Sequence, residues 1–157
     1  MPDPMSLGAM FAEQGYKPHR VQKQVHAARF GPQKARFRTT DAGRRTGKSN
    51  LGGHELAVEA MRMPVRLQHE DLSRTGRRAE FWIVGPEYSD AEKEFRVLYD
   101  TLKKLGADFD QPGTYYSPAG GALSISLFDG AFQVHTKSAK LPTTLVGEAL
   151  EGVILAE

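Results

Sequence analysis

Eight consecutive residues, Ala42, Gly43, Arg44, Arg45, Thr46, Gly47, Lys48 and Ser49, have the types and spacing needed to hold a phosphate chain. In a loop of this pattern the backbone N–H groups of residues 43–48 wrap the β-phosphate. The Lys48 ammonium reaches the β/γ oxygens, and the Ser49 hydroxyl takes a ligand position on Mg²⁺. A helix starting near Lys48 adds the partial positive charge of its N-terminus to the same anion site. The pattern is a Walker A loop, with Ala42 where the first glycine usually stands. Arg44 and Arg45 lie inside it, where a guanidinium can reach the γ-phosphate and stabilise charge in the transition state. Pointed outward, either would meet DNA or a neighbouring acid instead.

Phosphate hydrolysis also needs an acid opposite the loop. The run Val153, Ile154, Leu155 reads as a short buried strand that ends in Glu157. Such a strand usually finishes in Asp-Glu, the Asp orienting Mg²⁺ through water and the Glu polarising the attacking water. Here Ala156 stands where the Asp is expected. In this register Glu157 is the general base, and the metal is held by Ser49, the phosphates and water alone.

These groups must be delivered by a scaffold. The β-rich stretch 34–41 is expected to be the strand feeding the loop, and 49–63 the helix leaving it, closed by Pro64. Gly52 and Gly53 weaken that helix by about 1 kcal/mol each relative to Ala, which suits close packing against a sheet. Upstream, residues 1–15 read as a flexible leader with one helical turn near 9–13, and 18–30 as an amphipathic helix stopped by Gly31-Pro32. Residues 64–78 form a long polar connection. A second buried strand spans 79–85. A helix capped by Ser89 and Glu92 then runs to Lys104, with Phe95, Leu98, Tyr99 and Leu102 on one face. Leu123, Ile125 and Leu127 alternate before an Asp129-Gly130 turn and Phe132 and Val134 alternate after it, a hairpin pattern. Strands alternating with helices predict the α/β class with a mainly parallel central sheet flanked by helices.

Composition bounds the partners. With 157 residues, 39% hydrophobic and 25% charged, the chain suits one globular domain. No eighteen-residue apolar run and no signal-peptide pattern is present, so neither membrane insertion nor secretion is indicated. Without cysteine there are no disulfides or thiolate metal sites, and His19, His26, His54, His69 and His135 show no metal-ligand spacing. The net charge of +2 hides an asymmetry: residues 1–50 hold ten Lys/Arg and three Asp/Glu, residues 51–157 eleven and sixteen. The basic side surrounds the phosphate loop, and what the triphosphate does not neutralise suits a nucleic-acid backbone as well as solvent. Tyr115, Tyr116 and Trp82 read as packing groups rather than base-stacking platforms.

Taken together, the loop, Pro18-x3-Gln22-x3-His26 upstream of it, Trp82 to Tyr88 with its helix, the hairpin followed by Ser138, and Leu145-Val146-Gly147 before Gly152 to Glu157 resemble the N-terminal ATPase domain of the large terminase subunit of tailed bacteriophages. The likeness covers roughly residues 15–157. It implies a RecA/ASCE-like P-loop NTPase over 16–157. Its sheet would be completed by later residues, and a C-terminal nuclease domain would lie elsewhere in the parent protein. The implied activity is ATP hydrolysis driving double-stranded DNA into a procapsid, with ATP and Mg²⁺ as cofactors. Implied partners are the portal protein, the small terminase subunit and further copies forming a ring, all in the cytoplasm of an infected bacterium. By the same likeness Gln22 reads adenine, Arg44 is the Walker A arginine and Glu157 the catalytic glutamate. A helicase would share this site, and a non-hydrolysing nucleotide-binding or assembly module is the reading that Ala156 favours.

Overall fold

The computed structural model describes residues 5–32, 37–40, 46–69, 78–146 and 149–157. At its centre is β1 (Ala79–Gly85), whose seven residues are all buried, as a near-continuous apolar run requires of a strand flanked on both edges. It pairs in parallel with β3 (Phe132–Ser138) on one side and β4 (Gly152–Leu155) on the other. β2 (Ser124–Leu127) adds to β3 in antiparallel fashion, giving the order β2-β3-β1-β4. The mixed α/β class with a mostly parallel sheet is therefore as the alternation of elements predicts. The β2–β3 turn takes Phe128, Asp129 and Gly130 into the left-handed region (φ 54°, 54° and 83°), one residue more than the Asp-Gly signal alone indicates.

Two long helices cover one face of this sheet. α3 (Lys48–His69) follows the phosphate loop, and α4 (Tyr88–Lys104) follows β1. Leu56, Ala60 and Met63 of α3 and Phe95, Leu98 and Leu102 of α4 close over Phe81, Ile83, Ile125, Phe132, Val134 and Ala156. Tyr116 stacks on Tyr99 with centroids 4.5 Å apart, and Trp82 is buried on the opposite face with Lys137 over its ring. Both are packing groups, whereas Tyr115 is exposed.

Several boundaries differ from those expected. Residues 5–15 are not a loose leader: α1 (Leu7–Glu13), capped by Ser6, buries Met10 and Phe11 with Val58 of α3. α2 spans Arg20–Phe30. α3 does not stop at Pro64 but runs through it to His69. A proline removes one backbone donor there, and the burial of Ala60 and Met63 holds the preceding turn in place. The cap of α4 lies two residues earlier than expected, at Glu87, whose N–H donates to Asp90 Oδ2 at 3.1 Å. Glu92, the expected capping partner, pairs with Arg96 instead. Of the strand expected at 34–41, residues 37–40 are described and form none. Arg38 there turns its guanidinium to the Val25 carbonyl and to Glu55. Residues 34–36 and 41, and the 70–77 part of the polar connection, lie outside the described residues.

Candidate nucleotide site

Thr46, Gly47, Lys48, Ser49 and Asn50 line an open concavity of about 230 Å³ at the start of α3. Gly47 has φ +81°, a conformation that favours glycine, and a Cβ added there would stand 2.7 Å from Gln22 Nε2. β4 ends beside the same opening. The Ala156 N–H extends the ladder to the Val84 carbonyl at 2.8 Å, which sets Glu157 just past the sheet edge. There Glu157 Oε2 lies 3.8 Å from Lys48 Nζ. Two residues 109 positions apart, singled out separately for phosphate binding and for base chemistry, are thus neighbours. The Glu157 side chain is 90% exposed, so the contact contributes little to stability and leaves the carboxylate accessible. Ala156 faces the other way and belongs to the core between sheet and helices. Gly43, Arg44 and Arg45 lie outside the described residues.

Gln22 and His26, four positions apart on α2, both turn toward α3, as i and i+4 residues on one helical face do. The Gln22 side-chain carbonyl accepts from the His19 N–H at 3.0 Å, and its amide donates to the Gly47 carbonyl at 3.2 Å. An amide has two donors and two acceptor positions, so half its capacity remains after these bonds. His26 is fully buried, with Nδ1 donating to Glu55 Oε1 at 2.9 Å and Nε2 3.1 Å from the Tyr16 hydroxyl. Arg38 grips the same carboxylate with both terminal nitrogens at 2.8 and 2.6 Å. Burial pushes the Glu55 pKa up, but the hydrogen bonds from His26 and Arg38 and their charges outweigh it, so the net shift is downward. The hub fastens α2 to the helix that carries Lys48 and Ser49.

On the other side of α3, Gly52 and Gly53 let α4 and β4 approach. A Cβ on Gly52 would meet Ile154 Cδ1 at 3.2 Å and Glu94 Cγ at 3.5 Å, and one on Gly53 would meet Val97 Cγ1 at 2.6 Å. The expected packing against the sheet holds for Gly52, while Gly53 packs against α4. Glu94 is buried within this seam, its Cγ 3.5 Å from where a Cβ on Gly52 would stand and its Oε2 without a hydrogen-bond partner among the described residues. Burial drives its pKa up, against smaller lowering effects from its own backbone, Ser49 and Lys93.

No protein-family model matches the chain. Large terminase subunits of Thermus phage G20c and Thermus virus P23-45 are each 29% identical to it over 154 residues, covering 91% of this chain and 28% of the relative. The solved Thermus phage P74-26 large terminase ATPase domain superposes with a TM-score of 0.64 at 25% identity, covering 96% of this chain and 57% of that one. A mutant of that domain gives 0.63 at 24%. The chain resembles the ATPase domain of phage large terminases in sequence and in fold. It spans little more than a quarter of the length of those curated terminase relatives. Like that solved terminase domain, it has a P-loop fold. Among its described residues no helix is long and apolar enough to cross a membrane.

Sequence reading missed two carboxylates near the terminase-like loop. Glu55 stands seven positions after Lys48, two helical turns on, and Glu94 falls among Ala91, Phe95 and Leu98 on the buried stripe of α4. A charged residue at an apolar-stripe position is the signal that could have found Glu94.

Proposed function

We propose that this chain is the ATPase motor domain of a phage large terminase, hydrolysing ATP to drive double-stranded DNA into a procapsid. The observation that carries the proposal is the 3.8 Å approach of Lys48 Nζ to Glu157 Oε2 at the mouth of the loop. It supports a two-part site, a phosphate-binding cation beside an accessible carboxylate. When a triphosphate enters, Lys48 turns to its β/γ oxygens and leaves Glu157 free to take a proton from the water that attacks the γ-phosphorus. Gln22 uses its remaining amide capacity on the adenine edge, and the guanidinium of Arg44 or Arg45 stabilises charge on the γ-phosphate in the transition state.

Magnesium fits this donor set, because the Ser49 hydroxyl is a hard oxygen ligand and an unsatisfied carboxylate oxygen of Glu94 lies in the same seam. When bound, the ion neutralises charge on the β- and γ-phosphates. The partners proposed are double-stranded DNA, the portal protein, the small terminase subunit and further copies of the chain in a ring, in the host cytoplasm. The core position of Ala156 favours a second reading, a nucleotide-binding assembly module without turnover. Procapsid filling by the intact protein tests the first. ATP should support DNA uptake into procapsids, and Lys48→Ala should abolish both uptake and ATP affinity. Retained ATP affinity in Lys48→Ala would end the phosphate-loop assignment, and strand unwinding without uptake would point to a helicase.

A further inference from the structure

We infer that Glu94 is a positioning residue for the metal side of the site, supplying from α4 the carboxylate that Ala156 does not supply from β4. The inference rests on the nucleotide reading above and deepens its metal side. A Glu on a buried helix stripe has to be compensated or it is costly, because a carboxylate removed from water loses its solvation. Glu94 is 6% exposed, and its Oε2 has no hydrogen-bond partner among the described residues. Ser49, the first residue after Lys48 and the hydroxyl expected on Mg²⁺, stands one helical turn before Gly52, the position against which the Glu94 side chain packs, and its side chain works against the upward push of burial on the Glu94 pKa.

The same geometry explains the small residues around it. A Cβ on Gly52 would stand 3.5 Å from Glu94 Cγ and 3.2 Å from Ile154 Cδ1, so the acid and the inward face of β4 meet across a helix turn that carries no side chain. Ala156 follows Ile154 on that same face of β4, and both turn into the core. A carboxylate at 156 would project to the side where Glu94 already stands. One acid in place of the other leaves the charge count of the site unchanged and moves its source from strand to helix. Glu94 then acts through Ser49: its carboxylate orients the hydroxyl, or a water beside it, toward a hard dication, as outer carboxylates do at metal sites.

The experiment measures nucleotide affinity of the intact protein with a non-hydrolysable ATP analogue, in EDTA and in MgCl₂, for the native sequence, Lys48→Ala and Glu94→Gln. The native protein should gain affinity with Mg²⁺, and Lys48→Ala should lose binding in both buffers. Glu94→Gln should bind at least as well as the native protein in EDTA, because a negative charge beside the phosphates is gone, and should lose tenfold or more of the Mg²⁺-dependent gain. In a Ser49→Ala background the same change should have no further effect. A Mg²⁺ gain equal to the native one, or an equal loss of affinity in both buffers, would overturn the role of Glu94 and leave the nucleotide site standing. Absence of analogue binding by the native protein would overturn the nucleotide site and this inference with it. If Glu94→Gln does not fold, Glu94→Asp and Glu94→Asn pose the same question at equal length. The Asp variant should keep the larger Mg²⁺ gain, and equal gains would refute the inference.

Discussion

His54 lies face to face with Tyr16, ring centroids 4.0 Å apart, and its Nδ1 is 2.8 Å from Gln14 Oε1. Burial, and then the nearby His26 and Lys104, lower its pKa from 6.5 to about 4. The folded chain therefore binds fewer protons than the unfolded chain between those values, and stability falls as the pH drops from 6.5 toward 4. Glu55 has the depressed pKa of a carboxylate bound by Arg38 and His26, so its contribution persists above 4.5 and is lost only as the pH falls further. The two effects separate in pH. Urea midpoints recorded from pH 7 to pH 4 should decline less steeply for His54→Asn than for the native chain, and parallel curves would contradict this account of His54. Tyr16 belongs to the same cluster, its pKa raised to about 12 by burial and then by the Glu55 charge, and it stays neutral throughout that range.

Among the elements, the contact between α3 and α4 decides where the phosphate loop sits. Gly53 is its tightest point: a Cβ there would stand 2.7 Å from Val97 Cβ and 3.0 Å from the Glu94 carbonyl oxygen. Gly53→Ala should destabilise the fold by about 2 kcal/mol through overpacking, despite the better helix propensity of alanine. It should also weaken nucleotide binding, because the first turn of α3 carries Lys48 and Ser49. Adding Val97→Ala should return much of both losses, and a Gly53→Ala variant as stable as the native chain would contradict the packing argument. Composition and periodicity announced this element well. The seven-residue run 79–85, the Asp129-Gly130 turn and the stripe on α4 each report a local property, apolar alternation or turn chemistry, and the structure places them accordingly. What eluded the sequence depends on distant partners. Whether Pro64 ends a helix is settled by the burial of Ala60 and Met63, and whether 37–40 pairs as a strand by where Arg38 finds its carboxylate. The Lys48 and Glu157 pair was legible because each end carries its own motif. The burial of Glu94 was legible from its place on the apolar stripe of α4, but its packing against the first turns of α3 was not, because nothing in its neighbourhood in sequence points to Gly52 or Ser49.

Considered as a whole, the molecule places basic groups on the side that carries the loop. Lys17, Arg20 and Lys23 are exposed there, the latter two on α2, whose inner face holds Gln22 and His26. A face of this kind suits contact with a duplex backbone, and counterion release makes such contact dependent on salt. Double-stranded DNA affinity of the intact protein should fall with rising salt, and the pair Arg20→Glu and Lys23→Glu should reduce the log–log slope by about 2 while leaving ATP affinity in place. An unchanged slope would move the DNA surface elsewhere. Helices α3 and α4 cover one face of the sheet, while Val153 and Leu155 of β4 are exposed on the other, and the loop and Glu157 meet at its carboxyl edge. That edge is where open α/β sheets bind ligands. As the proposed general base, Glu157 takes the proton of the attacking water at this edge. The measurement that tests it most directly compares ATP binding and ATP hydrolysis by the intact protein with and without Glu157→Gln, in the presence of DNA and procapsids. ATP affinity should stay within a few-fold of native, and turnover should fall by about a hundredfold or more. Turnover that survives the substitution would contradict this role and place the base on another residue.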